Sequence, residues 1–260
     1  MNNSELKITF LGTGTSTGVP MIGSTSVVAK SNNPKDKRLR SSIMLTWGDV
    51  NYVIDCGPDF RQQMLRENVT KVNGILFTHE HADHIAGFDD IRPFCFKMGD
   101  MPIYGLKRVL KVLQKRYDYV FATENRYSSA PSVKQHEISH HSRLELANKT
   151  ITPLEVMHGN LPILGYRIGN AAYITDIKTM EISEKEKLKN LDVLIVTGLR
   201  KEPHATHFNI DEALRFINEI KPKRTYLTHI SEPLGLHDKV EKELPQNVFL
   251  AYDGLQIVTN

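Results

Sequence analysis

The chain has 260 residues, 40% of them apolar, with no shift in composition to mark an internal boundary, so residues 1–260 read as a single α/β domain. Its 33 basic and 30 acidic side chains leave a net charge of +3, too even a balance to argue for a nucleic-acid partner. Cys56 and Cys95 are too few for a disulfide framework or a thiolate metal knuckle. Met1-Asn2-Asn3-Ser4-Glu5 lacks a basic segment followed by an apolar core, and no run reaches the ~18 apolar residues of a membrane span. The expectation is a soluble, cytoplasmic protein with no membrane partner.

Short β-rich runs fill the first third, at 6–11, 42–47 and 51–55, with Trp47-Gly48-Asp49 as a turn between the last two. A helix over 60–67 follows Pro58-Asp59, and the apolar strand 74–78 runs into Thr78-His79-Glu80-His81-Ala82-Asp83-His84. Leu106, Val109, Leu110 and Leu113 give 106–117 a helical period, whereas 119–135 has little apolar periodicity and reads as a long, mobile surface loop. In the second half, strands are expected at 150–156, 164–168, 171–175, 193–197, 225–228, 248–251 and 255–258. Helices are expected at 183–190, 209–220 (capped by Asn209, with Asp211 and Glu212 in its first turn) and 235–244. Strands followed by helices occur twice, which predicts sheet packed on sheet with helices outside.

Thr78 to His84 carries the most chemistry: three imidazoles and Asp83 within six residues, at the end of a strand. His79 and His81 alternate by two, so an extended backbone points both the same way. Asp83 and His84 fall where the next helix begins and face a second ion. This predicts two divalent metal ions per chain rather than one. Such ions lower the pKa of bound water from 15.7 towards ~7 and, as a pair, clamp attacking and leaving oxygens, which points to a hydrolase. A bare surface cluster of histidines is the alternative, and the downstream residues weigh against it. His158, Asp176 and His229 each sit immediately after an expected strand, where strand ends on one rim converge. Asp176 is the natural bridge, because one carboxylate offers an oxygen to each cation. Asp55 also follows a strand and is expected to orient a ligand histidine through its ring N–H.

With these residues in place, the chain resembles the metallo-β-lactamase fold family along essentially its whole length. The resemblance implies a four-layered αββα sandwich in which His79, His81 and His158 bind one metal, Asp83, His84 and His229 the other, and Asp176 bridges. Oxygen-reducing relatives have Glu at the position of His81, and many lactamases have Cys at that of Asp176. A narrower resemblance, to the phosphodiesterase branch that includes phosphoribosyl 1,2-cyclic phosphate phosphodiesterase and, more distantly, tRNA 3′-processing endonuclease, rests on several further segments. These are Leu11-Gly12-Thr13-Gly14-Thr15, Gly18-Val19-Pro20, Arg38-Leu39-Arg40-Ser41-Ser42, Asp89-Asp90-Ile91-Arg92-Pro93-Phe94 and Ala251-Tyr252-Asp253-Gly254. Gly12, Gly14 and Gly18 do not have dinucleotide-binding spacing, and Val19-Pro20 blocks the helix that such a motif needs.

In this branch the resemblance implies a catalytic histidine at His207, where it can protonate a leaving alkoxide; Asn209 replaces the usual Ser or Thr two residues on. His204 is the rival donor, while His136, His140, His141 and His237 are read as surface residues. Relatives often hold a structural zinc on a Cys-X-Cys-X-X-Cys knuckle plus a histidine. Here those positions are Ser24, Ser26, Ala29 and Glu232, so the 23–36 loop is expected to rely on hydrogen bonds, with a homodimer partner as a further possible cover.

The expected function is a dinuclear hydrolase of small or cyclic phosphodiesters, with His207 and, among the ligands, Asp83 as catalytic residues. Imidazole-rich ligation suits zinc, and two aspartates also admit manganese. The alternatives are a tRNA 3′-processing nuclease, a thioester or lactone hydrolase, and a metal-binding protein without turnover. A nuclease should carry a Gly/Pro-rich arm or a basic surface, and neither is evident.

Overall fold

Side-chain alternation sets the layers. In β1 (Leu6–Gly12), Leu6, Ile8 and Phe10 enter one apolar cluster and Leu11 another on the opposite face. The computed structural model describes residues 5–259; Met1 to Ser4 of the N-terminal segment read above, and Asn260, lie outside the described residues. After β1 come the antiparallel β2 (Ser42–Trp47) and β3 (Val50–Ile54), then α1 (Phe60–Arg66), β4 (Gly74–Leu76), α2 (Ala82–Ile85), α3 (Arg92–Met98), β5 (Met101–Gly105), α4 (Lys107–Arg116), α5 (Asp118–Phe121) and β6 (Val133–Glu137). The second half runs β7 (Leu144–Leu146), β8 (Lys149–His158), β9 (Leu161–Ile168), β10 (Ala171–Ile174), α6 (Ile182–Glu186), β11 (Val193–Thr197), α7 (Ile210–Ile220), β12 (Arg224–Thr228), α8 (His237–Glu241), β13 (Val248–Leu250) and β14 (Gln256–Thr259).

Two seven-stranded sheets result, β14-β1-β2-β3-β4-β5-β6 and β13-β12-β11-β10-β9-β8-β7. Both are mixed, and the central parallel strands β4, β10 and β11 read as continuous apolar runs because both faces are covered. β11 shows this: Val193 and Ile195 join the core between the sheets, while Leu194 and Val196 join the cluster beneath the second sheet's helices. The central core takes Phe10, Ile43 and Ile54 from one sheet and Tyr166, Tyr173 and Ile195 from the other. Phe60, Ile85, Phe88 and Leu113 cover the outer face of the first sheet; Leu188, Phe216 and Val240 cover that of the second. This is the expected αββα sandwich. Burying each such side chain fully contributes about 1.5–3 kcal/mol.

α7 begins with a reciprocal cap. Asn209 Oδ1 accepts from the Glu212 N–H at 2.9 Å, and Glu212 Oε2 accepts from the Asn209 N–H at 3.0 Å. Three expectations need correction. The 119–135 stretch is not one loop: α5 overlaps its start, and its end pairs in parallel with β5 as β6. That strand, Val133-Lys134-Gln135-His136-Glu137, is a polar sheet edge and so lacks an apolar period. The helices expected at 183–190 and 235–244 shorten to α6 and α8. Among the described residues, no helix is long and apolar enough to cross a membrane.

Candidate metal centre

The strand ends on one rim of the sandwich deliver the expected residues to one place. β4 leads through Thr78 into His79 and His81, and α2 holds Asp83 and His84. His158 is the last residue of β8, and Asp176 and His229 lie just past β10 and β12. Asp55, Asp176 and His229 all adopt left-handed backbone, with φ of 65°, 58° and 55°. That conformation costs a non-glycine residue of order 1 kcal/mol and turns the chain sharply as it leaves the sheet. α2 sits so close to the strand ends that a Cβ on Gly57 would lie 2.0 Å from the Asp83 carbonyl oxygen.

In each of four overlapping groups the ligand atoms lie within 4.8 Å of one another: His79, His81 and His158; Asp83, His84 and His229; His79, His84 and Asp176; and His158, Asp176 and His207. Asp176 is thus near members of both triads. His79 Nε2 and His81 Nδ1 approach to 2.9 Å. His158 Nδ1 is 3.0 Å from the Thr206 carbonyl oxygen, which leaves Nε2 for the cluster. His84 Nδ1 is 2.8 Å from Asp55 Oδ2, so Nε2 faces Asp83 Oδ2 at 3.1 Å and Asp176 Oδ2 at 3.4 Å. His229 Nε2 stands 3.2 Å from Asp176 Oδ1 and 3.7 Å from Asp83 Oδ2. The Nε2 atoms of both His84 and His229 are buried without a hydrogen-bond partner. Buried polar nitrogens rarely stay unpaired. Orphaned imidazole nitrogens aimed between carboxylate oxygens suit a divalent cation, and the His and Asp donor set is of the kind zinc and manganese accept.

The electrostatics agree. Burial alone would push the Asp176 carboxyl up, but His229, His84, His79 and His207 hold it far below the usual carboxylate range. Asp83 is likewise drawn down against its burial by His84 and His229. Burial and the neighbouring His84 keep His79 neutral. His84 shifts the other way: despite burial, Asp83, Asp176 and Asp55 raise its affinity for positive charge.

His207 is buried, with Nδ1 3.6 Å from Asp176 Oδ1 and its ring centroid 4.5 Å from that of His158 and 4.8 Å from that of His229. His204 is half-buried; its ring lies 5.0 Å from that of His207, and its Nδ1 accepts from the Thr206 N–H at 3.3 Å. Of the two rivals, only His207 belongs to the ligand-atom groups. Burial, then His229, draws its pKa down to about 3.

Asp55 plays the orienting part expected of it: Oδ1 accepts from the Thr78 N–H and Oδ2 from the Thr78 hydroxyl, both at 2.8 Å, beside its contact with His84. Other supports escaped the sequence reading. The Thr206 carbonyl orients His158, the Thr197 hydroxyl accepts from the Asp176 N–H at 2.7 Å, and the Thr175 hydroxyl donates to Asp176 Oδ2 at 2.6 Å. Glu80, between the first two histidines, accepts from Arg108 Nε at 2.9 Å. Threonines after short strands are a weak signal, and a backbone carbonyl gives none. His237, read as a surface residue, is buried: Arg38 Nη2 approaches its Nδ1 to 3.0 Å, and its backbone N–H donates to Asp36. Arg38 and Asp36 lie some 200 positions away in the sequence, out of reach of any local pattern.

The fold and the donor set define a metallohydrolase-type protein, and comparison with known proteins gives the family. Residues 50–230 match the model of the beta-lactamase superfamily domain, and the chain belongs to that family. A solved structure described as a new diphosphatase from the PhnP family superposes with a TM-score of 0.91 at 38% identity, over 98% of this chain and 97% of that one. A protein of Porphyromonas gingivalis named octanoyltransferase is 38% identical over 255 residues, 97% of this chain and 51% of its own length. A ribonuclease Z of Methanococcus maripaludis is 23% identical over 83% of this chain and 63% of its own. The chain thus spans about half to two thirds of the length of these two curated relatives. The short form of human tRNase Z has the same fold, with a TM-score of 0.73 at 17% identity over 96% of this chain and 98% of that one.

Proposed function

We propose that residues 1–260 form one domain that hydrolyses small phosphodiesters with two divalent ions. In this reading His79, His81 and His158 would hold one ion and Asp83, His84 and His229 the other, with Asp176 shared between them. The observation that carries it is the pair of buried, unpartnered Nε2 atoms of His84 and His229 facing Asp83 and Asp176. A bound metal pair supplies a water of lowered pKa and neutralises charge at phosphorus.

The chain's own residues do the rest. Asp55 and the Thr206 carbonyl fix the tautomers of His84 and His158, so that Nε2 is the coordinating atom of each. Thr175 and Thr197 pin Asp176. His207 lies with Nδ1 3.6 Å from Asp176 Oδ1; the negative charge of a bound phosphodiester raises its affinity for a proton, which it then delivers to the leaving oxygen. A protein that only binds metal has no need of such a group, which favours an enzyme. The PhnP-family diphosphatase supports a small phosphate ester as substrate, while the ribonuclease Z relatives make pre-tRNA the rival.

Zinc- or manganese-loaded protein should cleave bis(p-nitrophenyl) phosphate and small cyclic or diphosphate esters faster than pre-tRNA, thioesters or lactones. Preference for pre-tRNA or a thioester would overturn the substrate class. Two bound ions without turnover on any substrate would make the protein a metal binder.

A further inference from the structure

The loop after β1 lacks a dinucleotide motif, yet the fold lays it against the imidazole cluster. Gly14 bridges to Arg40 on one side and, on the other, to Ile230, the residue after His229. The Thr15 N–H donates to the Ile230 carbonyl at 2.9 Å, and the Ile230 N–H to that of Thr13 at 2.8 Å. Arg40 also adjoins the segment that carries Asp83, because a Cβ on Gly57 would meet the Asp83 carbonyl oxygen at 2.0 Å and the Arg40 Cβ at 3.6 Å. Arg40 therefore packs near the segment that carries Asp83 and lies one chain segment, that of Gly14, away from the segment that follows His229.

Its guanidinium is held in a set pose with one nitrogen, Nη2, free. Nη1 donates to both oxygens of Asp59 at 3.1 Å, and Nε donates to the Ser16 carbonyl at 3.2 Å. The Arg40 backbone N–H also donates to Asp59, at 2.8 Å. Nη2 has no protein acceptor among the described residues, and the side chain is 28% exposed. Next to it, the Gly18 N–H donates to the Thr15 carbonyl at 2.8 Å and closes a turn. Ser16 and Thr17 at its corners are exposed, and their N–H groups also lack a protein acceptor among the described residues. A planar cation with a free N–H nitrogen beside free backbone N–H groups is chemistry that binds phosphate oxygens.

We propose that Arg40, with the N–H groups of Ser16 and Thr17, binds a second phosphoryl group next to the one being hydrolysed, which makes diphosphate esters the preferred substrates. This rests on the phosphodiesterase reading above. Water adds across the P–O–P bridge: a P–O bond forms at the attacked phosphorus and the bridging P–O bond breaks. The leaving phosphomonoester keeps the electron pair and takes one proton. Arg40 grips that leaving group, so it sets specificity through binding. Asp59 acts through Arg40 and is a positioning residue.

The test compares P1,P2-dimethyl diphosphate with bis(p-nitrophenyl) phosphate, which has a single phosphate, using metal-loaded protein. Arg40→Gln should lower kcat/KM on the diphosphate by about 10- to 100-fold, mainly through KM, and by less than about threefold on the other ester. Arg40→Lys should fall between, because it keeps the charge but not the Asp59- and Ser16-braced placement of Nη2. Asp59→Asn should show the same substrate split more weakly. Calorimetric titration supplies a readout that needs no turnover: Arg40→Gln should bind inorganic diphosphate about tenfold more weakly and orthophosphate unchanged. Equal losses on both esters, or equal diphosphate affinity in wild type and variant, would overturn the proposal and leave Arg40 as a brace for the loop. If the wild type cleaves neither ester, the phosphodiesterase reading fails, and the titration alone decides whether Arg40 binds diphosphate.

Discussion

Asp176 and Glu232 are both buried carboxylates that gather a loop cluster, and they do so in opposite ways. Glu232 accepts from the Met21 N–H at 2.6 Å and from the hydroxyls of Ser24 and Ser26, and Ser26 Oγ in turn accepts from the Ala29 N–H at 3.0 Å. Its lone pairs are met by donors of the chain itself. Asp176 has its backbone N–H and one oxygen tied to threonines, but much of its remaining surroundings is imidazole, including nitrogens with no partner. The contrast shows what makes a polar cluster structural and what leaves it reactive. A hub closed by N–H and O–H donors is complete, whereas one ringed by lone pairs still needs a cation. It also accounts for the loop where relatives often carry a zinc knuckle. Ser24, Ser26 and Glu232, three of the four substituted positions, put hydrogen bonds where relatives have thiolate and imidazole ligands, as the sequence led us to expect.

The largest test of this contrast is Asp176→Ala. Metal content measured by mass spectrometry should fall from two ions per chain, and turnover should drop by at least about 10²-fold. Two ions retained at full occupancy would remove Asp176 from the bridge. His207→Ala should keep both ions and slow esters with poor leaving groups by about 10²–10⁴-fold, with a smaller loss on activated aryl esters. If both ester types slow equally, or if His204→Ala slows them more, His207 is not the proton donor.

Glu232→Ala should do the reverse of Asp176→Ala: urea denaturation should register a loss of about 2–3 kcal/mol, because three donors lose their acceptor, while metal content stays as in wild type. Combining Ser24→Cys, Ser26→Cys, Ala29→Cys and Glu232→His should convert the closed hub into an open one. Cobalt titration should then show a third site with thiolate charge-transfer absorption, and no such band would mean that the loop geometry no longer suits a metal.

The smallest effect concerns His237, which faces Arg38, Lys35, Asp36, Asp238 and Glu241. Burial, then Arg38, lowers its pKa to about 4. The unfolded chain takes up this proton near pH 6.5 and the folded chain does not, so stability is full above about 6.5 and falls as the pH drops towards 4. For metal-free protein, denaturant midpoints between pH 6.5 and 5 should register about 1 kcal/mol of this loss. The slope should flatten in His237→Gln, and an unchanged slope would remove His237 as its source.

Where chemistry follows local order, the sequence was readable. His79 to His84 lie in one strand–loop–helix unit, so spacing alone brought them together. His158, Asp176 and His229 could be placed because each ends an apolar strand, and strand ends share a rim. β6 was missed because an edge strand needs no apolar face, and α3 because its buried Phe94 and Cys95 are too few to establish a period over seven residues. The burial of His237 and the anchoring of Arg40 depend on partners supplied by the tertiary fold, which no window along the chain contains.

The pairing of β14 with β1 sets Leu6 opposite Thr259. Nearby, Arg38 Nη1 donates to the Ala251 carbonyl at 2.5 Å, and the Thr13 hydroxyl to Asp253 at 2.7 Å. Until residues 249–259 have been made, the first sheet has an open edge and the loop after β1 lacks these two anchors. The loop beside the imidazoles therefore takes its final pose later in synthesis than β4, β8, β10 and β12, whose ends carry the cluster.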